Sequence, residues 1–261
     1  MPNDQILSAR FGMLLVGHGT RDAQGVAEFL ETARLVAARV PDVAVEPGFL
    51  ELAEPSIENA LERLVEYDPR EVIVVPLLLF AADHAKQDIP IDVATAAARF
   101  PHLKIRHAEP LGCHKKILAA SAERFRSVLP PGEFQPEDDV ALLMVSRGTS
   151  DSSAIAEVRR FVQLRLEMTP VASATIAFMA VAAPSVATEL DAIASSSSAC
   201  VVVQPHLLFH GKLTSDLQAM VRRKQAERPE KKWIVADHLG PCELVAEATV
   251  SRFWEACAAV D

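Results

Sequence analysis

The chain has 261 residues, of which 50% are hydrophobic and 23% are charged, and its formal net charge is -9. This composition supports a packed core and excludes a largely disordered chain. The acidic balance argues against nucleic-acid binding, which depends on a basic surface, and no apolar run reaches the roughly 20 residues that span a membrane.

The N-terminus and the cysteines indicate the compartment. The first ten residues lack the basic region and the long apolar stretch of a signal peptide. Four cysteines are scattered without a C-x-x-C pair, which is typical of a reducing compartment. We therefore expect a cytoplasmic protein that carries no iron–sulfur cluster.

In chain order, the hydrophobic pattern predicts alternating strands and helices. Continuous β-branched and leucine runs are typical of strands that are buried on both faces of a parallel sheet. Strand and helix alternation of this kind predicts an open, doubly wound sheet. The predicted elements are strands over 11–17, 43–50 and 71–80, and helices after the first strand, from Pro55 onward, over about 88–99 and over about 114–128.

The chain contains an internal repeat. MLLVGHGTRD (13–22) returns as LLMVSRGTSD (142–151), and three further segments return in the same order at nearly the same displacement. Such self-similarity is the signature of duplicated structural units. We predict an N-terminal half over 10–128 and a C-terminal half over 139–261, joined by the acidic linker 129–138. Each half is expected to be an α/β doubly wound parallel sheet, with a cleft between the two halves.

A histidine or a carboxylate follows each of the first three predicted strands, at His18, Glu51 and His84. Because the carboxyl ends of parallel strands meet at one edge of a sheet, we expect these side chains to lie together. Two imidazoles and a carboxylate suit a divalent cation such as cobalt, iron, nickel or zinc, and they suit proton removal near neutral pH. Each residue alone is an ordinary turn or surface residue, but their common placement predicts a site.

The C-terminal half keeps the framework and loses part of this set. Arg147 and Ala180 replace the first histidine and the glutamate, and His210 matches the second histidine if the loop is slightly shorter. This pattern predicts one intact site per chain, in the N-terminal half. A guanidinium at Arg147 suits a carboxylate-bearing ligand. His206 and His238, at predicted strand ends, are further candidates to line the cleft at this edge.

Three segments resemble the sirohydrochlorin cobaltochelatase/ferrochelatase family, whose long form is a tandem of two such halves. They are GHGTRD (17–22), Glu51 with the Pro-Ser pair that follows it, and PLLLF with the D-H-x-x-x-D pattern (76–88). The resemblance implies a chelatase-like fold of flavodoxin-like topology. It also implies ATP-independent insertion of a divalent metal, Co²⁺ or Fe²⁺, into sirohydrochlorin in cobalamin or sirohaem biosynthesis.

The resemblance also implies roles for individual residues. His18 and His84 would bind the incoming metal, His18 would accept a proton, and Glu51 would assist. The segment before the second histidine would line the tetrapyrrole pocket. We also expect Arg147 and His210, from the second half, to contact the substrate. The pocket segment comprises Leu79, Phe80, Ala81, Ala82 and Asp83.

The metal is thus expected as a substrate, with a tetrapyrrole as partner and neither nucleic acid nor membrane. No nucleotide is expected, because the Walker-like string HGKLTS (210–215) lacks the leading glycine. A monomer fits the fused halves, and a homodimer stays open, as does the choice between cobalt and iron. Two alternatives are a non-catalytic metal or tetrapyrrole carrier and a histidine phosphatase, although the phosphatase needs an arginine where this chain has Gly17.

Overall fold

Strands and helices alternate along both repeats. The computed structural model describes residues 11–80 and 83–259, and every side chain in these ranges except those of residues 83–86. The first repeat comprises β1 (Phe11–Gly17), α1 (Ala23–Ala37), β2 (Ala44–Phe49), α2 (Ile57–Val65), β3 (Glu71–Pro76), α3 (Asp83–Ala97), β4 (Lys104–His107) and α4 (Lys115–Val128). After the short helix α5 (Pro136–Asp139), the second comprises β5 (Val140–Ser146), α6 (Ser152–Met168), β6 (Ser173–Phe178), α7 (Val186–Ala194), β7 (Cys200–Pro205), α8 (Lys212–Glu227), β8 (Lys232–Val235) and α9 (Glu243–Ala258).

The strands form two sheets of four parallel strands, in the orders β2-β1-β3-β4 and β6-β5-β7-β8. The central strands β1 and β5 are buried along their whole length, because helices cover both faces of each sheet. The end of β1 is in register with the ends of both of its neighbours, Gly17 with Phe49 and Val16 with Pro76. These findings confirm the prediction of two doubly wound parallel sheets.

Side-chain caps fix where the helices begin, and so set the loops that precede them. Asp22 accepts a hydrogen bond of 3.0 Å from the Gly25 N–H at the start of α1, and Ser56 accepts one of 3.2 Å from the Asn59 N–H at the start of α2. Each cap satisfies a backbone donor that the helix itself leaves unpaired. The second repeat has the same caps, at Asp151 and Ser185.

The third strand and the following helix differ from their predicted bounds. β3 ends at Pro76 rather than at residue 80, because the chain leaves β1 after the Leu77 N–H, which donates to the Val16 carbonyl at 2.8 Å. The chain then turns toward the segment after β4, where the Leu78 and Leu79 carbonyls accept hydrogen bonds from Leu111 and Gly112. The helix α3 begins at residue 83 rather than 88, so the loop predicted there is largely helical.

The chain divides into two compact units, one of residues 11–114 and 240–259 and the other of residues 115–239. These units differ from the sequence repeats 10–128 and 139–261 at one helix each. In the first unit α9 packs against α1 and β3, with Phe253 edge-on to Phe11 at 6.4 Å between ring centroids. In the second unit α4 packs against α6 and β7. The last helix of each repeat therefore covers the sheet of the other repeat.

The second face of each sheet is covered by helices of its own repeat. In the first unit, buried residues of α2 and α3 such as Leu61, Leu64 and Val93 pack on Val16 and Val74 of the strands. Burying a side chain of this size stabilises the fold by about 1.5–3 kcal/mol relative to exposure. Among the described residues, no helix is both long and apolar enough to cross a membrane.

Candidate functional site

His18 and Glu51 meet at the carboxyl edge of the first sheet. The pairing of β1 with β2 continues past the strands, since the Leu50 N–H donates to the Gly17 carbonyl (2.9 Å) and the Glu51 N–H to the His18 carbonyl (3.1 Å). This continuation brings His18 Nε2 to 3.4 Å from Glu51 Oε1. The two side chains are 39% and 53% exposed, so both are open to a ligand from solvent.

Gly19 allows the close approach of the two loops. Its φ is +95°, a conformation that side-chain-bearing residues rarely adopt. A Cβ on Gly19 would lie 1.7 Å from the Glu51 carbonyl oxygen, which is far inside van der Waals contact. The glycine that follows the histidine is therefore required by the backbone that presents Glu51, in addition to any requirement of the turn itself.

His84 follows β3, the other neighbour of β1, and lies in the first turn of α3. Its side chain lies outside those that the structure describes, and the same holds for Asp83. Within the described side chains, no three His, Cys, Asp or Glu residues converge on a possible metal position. The described side chains of His18 and Glu51 lie close enough together to contact one cation, and an imidazole with a carboxylate suits a borderline divalent metal.

The predicted tetrapyrrole segment is described only in part. Leu79 and Phe80 are half-buried and follow β3 toward the edge that carries His18. The Leu79 carbonyl is held by the Gly112 N–H at 2.8 Å, which fixes the course of this segment. Ala81 and Ala82 lie outside the described residues.

The second sheet repeats the backbone of this edge with other side chains. The Ala180 N–H donates to the Arg147 carbonyl at 3.0 Å, which matches the contact between Glu51 and His18. Gly148 has a φ of +93°, and a Cβ on it would lie 1.9 Å from the Ala180 oxygen. Arg147 is exposed. The second edge thus has the geometry of the first but presents a guanidinium and a methyl group instead of the imidazole and carboxylate.

His210 lies after β7, with its ring centroid 6.4 Å from that of His238 after β8. Its Nε2 is 3.4 Å from the Ser215 hydroxyl. The two histidines follow adjacent strands, so both lie at the carboxyl edge of the second sheet. Their proximity to each other was not predicted from the sequence.

The expectation that His206 lies at this edge is wrong. His206 is only 2% exposed, and its ring stacks on Phe161 at 4.2 Å between centroids. Its N–H donates to the Val145 carbonyl at 2.7 Å, so the residue continues the strand ladder and its side chain points into the packed layer. Burial lowers the pKa of His206 to about 3, which keeps the imidazole neutral.

Two cysteines, the buried Cys200 and the half-buried Cys257, are poor candidates for the chemistry. Burial raises the pKa of Cys200 to about 11 and that of Cys257 to about 12, so both are protonated at neutral pH. Since the thiolate is the metal ligand and the nucleophile, the raised pKa values make these two residues poor ligands and poor nucleophiles. His18 and Glu51 are the described pair of groups that meet at the first edge and can exchange protons or metal.

One feature of the edge was missed by sequence reasoning. Leu52 and Val181, the residues directly after Glu51 and Ala180, have φ angles of +64° and +65° and are exposed. The available signal was that both repeats place an apolar residue at this position. Neither residue is a glycine or an asparagine, so the sequence does not predict a left-handed backbone there.

Known proteins match most of the chain, over both repeats. The family model described as CbiX matches residues 12–128 and 141–256, one copy on each repeat. The chain is 29% identical to the sirohydrochlorin ferrochelatase of Bacillus subtilis (strain 168), over 94% of this chain and 92% of the relative. It is 28% identical to the sirohydrochlorin cobaltochelatase of Priestia megaterium, over 87% of this chain and 74% of the relative.

A solved structure with a similar degree of sequence identity has the same fold. The structure of SirB from Bacillus subtilis with Fe³⁺ superposes with a TM-score of 0.85 at 28% sequence identity. The superposition covers 95% of this chain and 96% of that one. The likeness therefore extends over both repeats.

Proposed function

This chain belongs to the CbiX family, and we propose that it is a sirohydrochlorin chelatase that inserts Co²⁺ or Fe²⁺ into its substrate without ATP. The matched relatives are a sirohydrochlorin ferrochelatase and a sirohydrochlorin cobaltochelatase, which together name both metals. The observation that carries the proposal is the imidazole–carboxylate pair of His18 and Glu51, 3.4 Å apart at the edge of the first sheet.

Metal insertion requires that two pyrrole N–H protons leave and that the cation exchange its water for ring nitrogens. His18 accepts a pyrrole proton, a contribution that is worth about 10²–10⁴ in rate for a positioned general base. Its exposure of 39% leaves the imidazole within reach of a substrate that arrives from solvent. Glu51 provides a second group that holds either the cation or the proton.

The cation substrate must be bound and then released. A site with two or three protein ligands and open positions releases a metal more readily than a closed site with four ligands. His18 and Glu51 supply two ligands, and His84, placed at the start of α3 after the adjacent strand β3, is the proposed third. As the ring nitrogens bind the cation, these ligands leave it one by one.

The carboxylates of sirohydrochlorin need positive charge in a chain with a net charge of -9. Arg147 is the proposed anchor, since its guanidinium is exposed and has no ion-pair partner among the described residues. Arginine binds carboxylates in a bidentate geometry. Lys212 is less suitable because it pairs with Asp216 at 2.8 Å. Leu79 and Phe80, both half-buried, offer apolar surface to the ring, and His210 offers a polar contact.

The second repeat supports a single active site per chain. Its backbone reproduces the close approach of the two loops, yet Arg147 and Ala180 cannot accept protons or bind a cation as His18 and Glu51 can.

The proposed setting is cytoplasmic, and the four cysteines, all free thiols, fit a reducing compartment.

The test is anaerobic absorbance spectroscopy of the purified protein with sirohydrochlorin and Co²⁺, then with Fe²⁺, in the absence of ATP. The proposal predicts conversion of the spectrum at a rate well above the spontaneous one, and the two metals are ranked by rate. Tight binding of the tetrapyrrole without faster insertion would instead identify a carrier. An absence of tetrapyrrole binding would contradict both functions.

A further inference from the structure

Leu52, the residue after Glu51, is displayed on the surface in an unfavourable backbone conformation. Its side chain is 48% exposed, although leucine gains stability by burial. Its φ of +64° lies in the left-handed region, where the Cβ of an L-residue crowds the following carbonyl oxygen. Glycine avoids this crowding, and asparagine tolerates it better than leucine does.

Hydrogen bonds on both sides hold the loop that carries Leu52. At its base, the Phe49 N–H donates to the Pro55 carbonyl at 2.8 Å. On its inner side, the Leu50 and Glu51 N–H groups donate to the carbonyls of Gly17 and His18. Because the flanking backbone is fixed in this way, Leu52 cannot relax its φ without breaking the contacts that present Glu51.

The second repeat shows the same feature more strongly. Val181 has a φ of +65° and is 79% exposed. The Ala182 N–H donates to the Ala180 carbonyl at 2.7 Å, which closes a tight three-residue turn around Val181. A β-branched residue at this φ is an outlier, so glycine would be favoured at both positions if the turn alone mattered. Both repeats nevertheless carry a bulky apolar side chain.

Such a residue contributes little to the stability of the chain by itself. Strained, exposed positions of this kind concentrate at ligand sites, where the bound ligand makes use of them. Leu52 is one residue from the carboxylate that lies 3.4 Å from His18 Nε2. A bare cation or a phosphate would gain nothing from an apolar contact there, whereas the face of a flat macrocycle would cover it.

We propose that Leu52 is a substrate-contacting residue that packs on the apolar face of the tetrapyrrole beside the His18–Glu51 pair. This inference rests on the proposed chelatase function and extends it to the side chain that touches the ring. By covering one face next to the metal-handling groups, Leu52 helps to hold the ring where its nitrogens meet the cation.

The test compares Leu52→Gly, Leu52→Asn and Leu52→Met with wild type in two measurements. One is titration of metal-free sirohydrochlorin, followed by its absorbance, and the other is thermal unfolding. Leu52→Gly removes both the strain and the side chain, so its Tm rises while its Kd weakens by about tenfold. Leu52→Asn weakens binding to a similar degree, and Leu52→Met retains it.

Asp68→Gly is the matched control, because Asp68 has a φ of +51° after the far end of α2 and is exposed. This variant leaves the Kd unchanged, and its Tm rises by less than that of Leu52→Gly, because aspartate tolerates a left-handed backbone better than leucine does. If wild type binds the tetrapyrrole and Leu52→Gly and Leu52→Asn bind it equally well, this inference is wrong and the proposed function stands. If wild type does not bind at all, the proposed function fails and this inference fails with it.

Discussion

His18 Nε2 lies 3.4 Å from Glu51 Oε1, although the two residues come from different strands of the first sheet. Both side chains are well exposed, and a solvent-exposed ion pair contributes only about 0–1 kcal/mol to stability. Stabilisation of the fold therefore does not explain why these two side chains lie together. Its replacement should leave the fold intact, so loss of activity in such variants can be attributed to chemistry.

Gly19→Ala is expected to disable the site through the backbone. The new Cβ would overlap the Glu51 carbonyl oxygen, at 1.7 Å, so the loop that carries Glu51 must move away from His18. We expect kcat to fall by about tenfold or more, since small misplacements of catalytic groups have large effects on rate. Steady-state kinetics of metal insertion provide the measurement.

Gly148→Ala is the control for that variant, because its Cβ would lie 1.9 Å from the Ala180 oxygen in the second repeat. Both variants should lose similar thermal stability. Gly148→Ala should keep its kcat and show only a raised KM, through displacement of Arg147. Equal losses of kcat in the two variants would contradict the placement of the chemistry in the first repeat.

Arg147→Ala should raise KM for sirohydrochlorin and leave kcat nearly unchanged, because the proposed role of the guanidinium is to bind carboxylates rather than to accept protons or metal. An increase of about tenfold corresponds to the loss of one charge-assisted contact. Lys212→Ala is the comparison, since Lys212 already pairs with Asp216. If the two variants have the same KM as wild type, the carboxylates are held elsewhere.

Arg165→Met should stabilise the protein. Arg165 is fully buried in α6, and among the described residues none of its three guanidinium nitrogens has a hydrogen-bond partner. Its guanidinium lies 5.0 Å from the Phe125 ring centroid. Burial, and secondarily the charge of Arg126, lower the pKa of Arg165 to about 10, so the folded chain holds a cation in an unfavourable place.

Urea unfolding should show a gain of about 1–3 kcal/mol for Arg165→Met, the range seen when buried charges give way to apolar residues of similar volume. Arg160→Met, on the exposed side of the same helix, should change stability by less than about 0.5 kcal/mol. A loss of stability in Arg165→Met would mean that the guanidinium is well paired in solution.

His206→Leu should reduce the sensitivity of stability to acid. Burial lowers the pKa of His206 from 6.5 to about 3. Between these two pH values the imidazole is protonated in the unfolded chain and neutral in the folded chain. Stability from this residue is therefore present above pH 6.5 and is lost as the pH falls toward 3, by up to about 1.4 kcal/mol per pH unit. Leu77, which is buried at the equivalent position of the first repeat, shows that leucine fits.

The measurement is the free energy of unfolding of wild type and His206→Leu between pH 7.5 and pH 4.5. The difference between the two curves isolates His206 from other titrating groups. Below pH 6.5, we expect the free energy of unfolding of His206→Leu to rise steadily relative to that of wild type. Curves that stay parallel would show that the folded chain protonates His206 as readily as the unfolded chain does.

The sequence was sufficient to predict both sheets and the meeting of His18 with Glu51, because the repeat and the strand-end rule depend only on pattern. It could not predict which sheet the last helix of each repeat covers. The exchange follows from tertiary packing, such as that of Phe253 on Phe11.

One wrong expectation and one feature that was not predicted have local causes. His206 was expected at the edge because it follows a predicted strand, but one more ladder hydrogen bond, to the Val145 carbonyl, turns its side chain inward. The left-handed backbone at Leu52 had no sequence signal, because leucine rarely adopts it. In both cases a hydrogen bond between neighbouring strands or loops decides the conformation, and such contacts are not encoded in local pattern.

The central claim is that chelation occurs at the single site of the first repeat, and it is tested most directly by the rate of Co²⁺ insertion in His18→Ala. The reaction is followed by absorbance under anaerobic conditions without ATP, with wild type and Arg147→Ala alongside. We predict that the insertion rate of His18→Ala is lower than that of wild type by a factor of about 10²–10⁴, which approaches the spontaneous rate. The variant should retain the wild-type Tm. A His18→Ala variant that inserts Co²⁺ as fast as wild type would contradict the account.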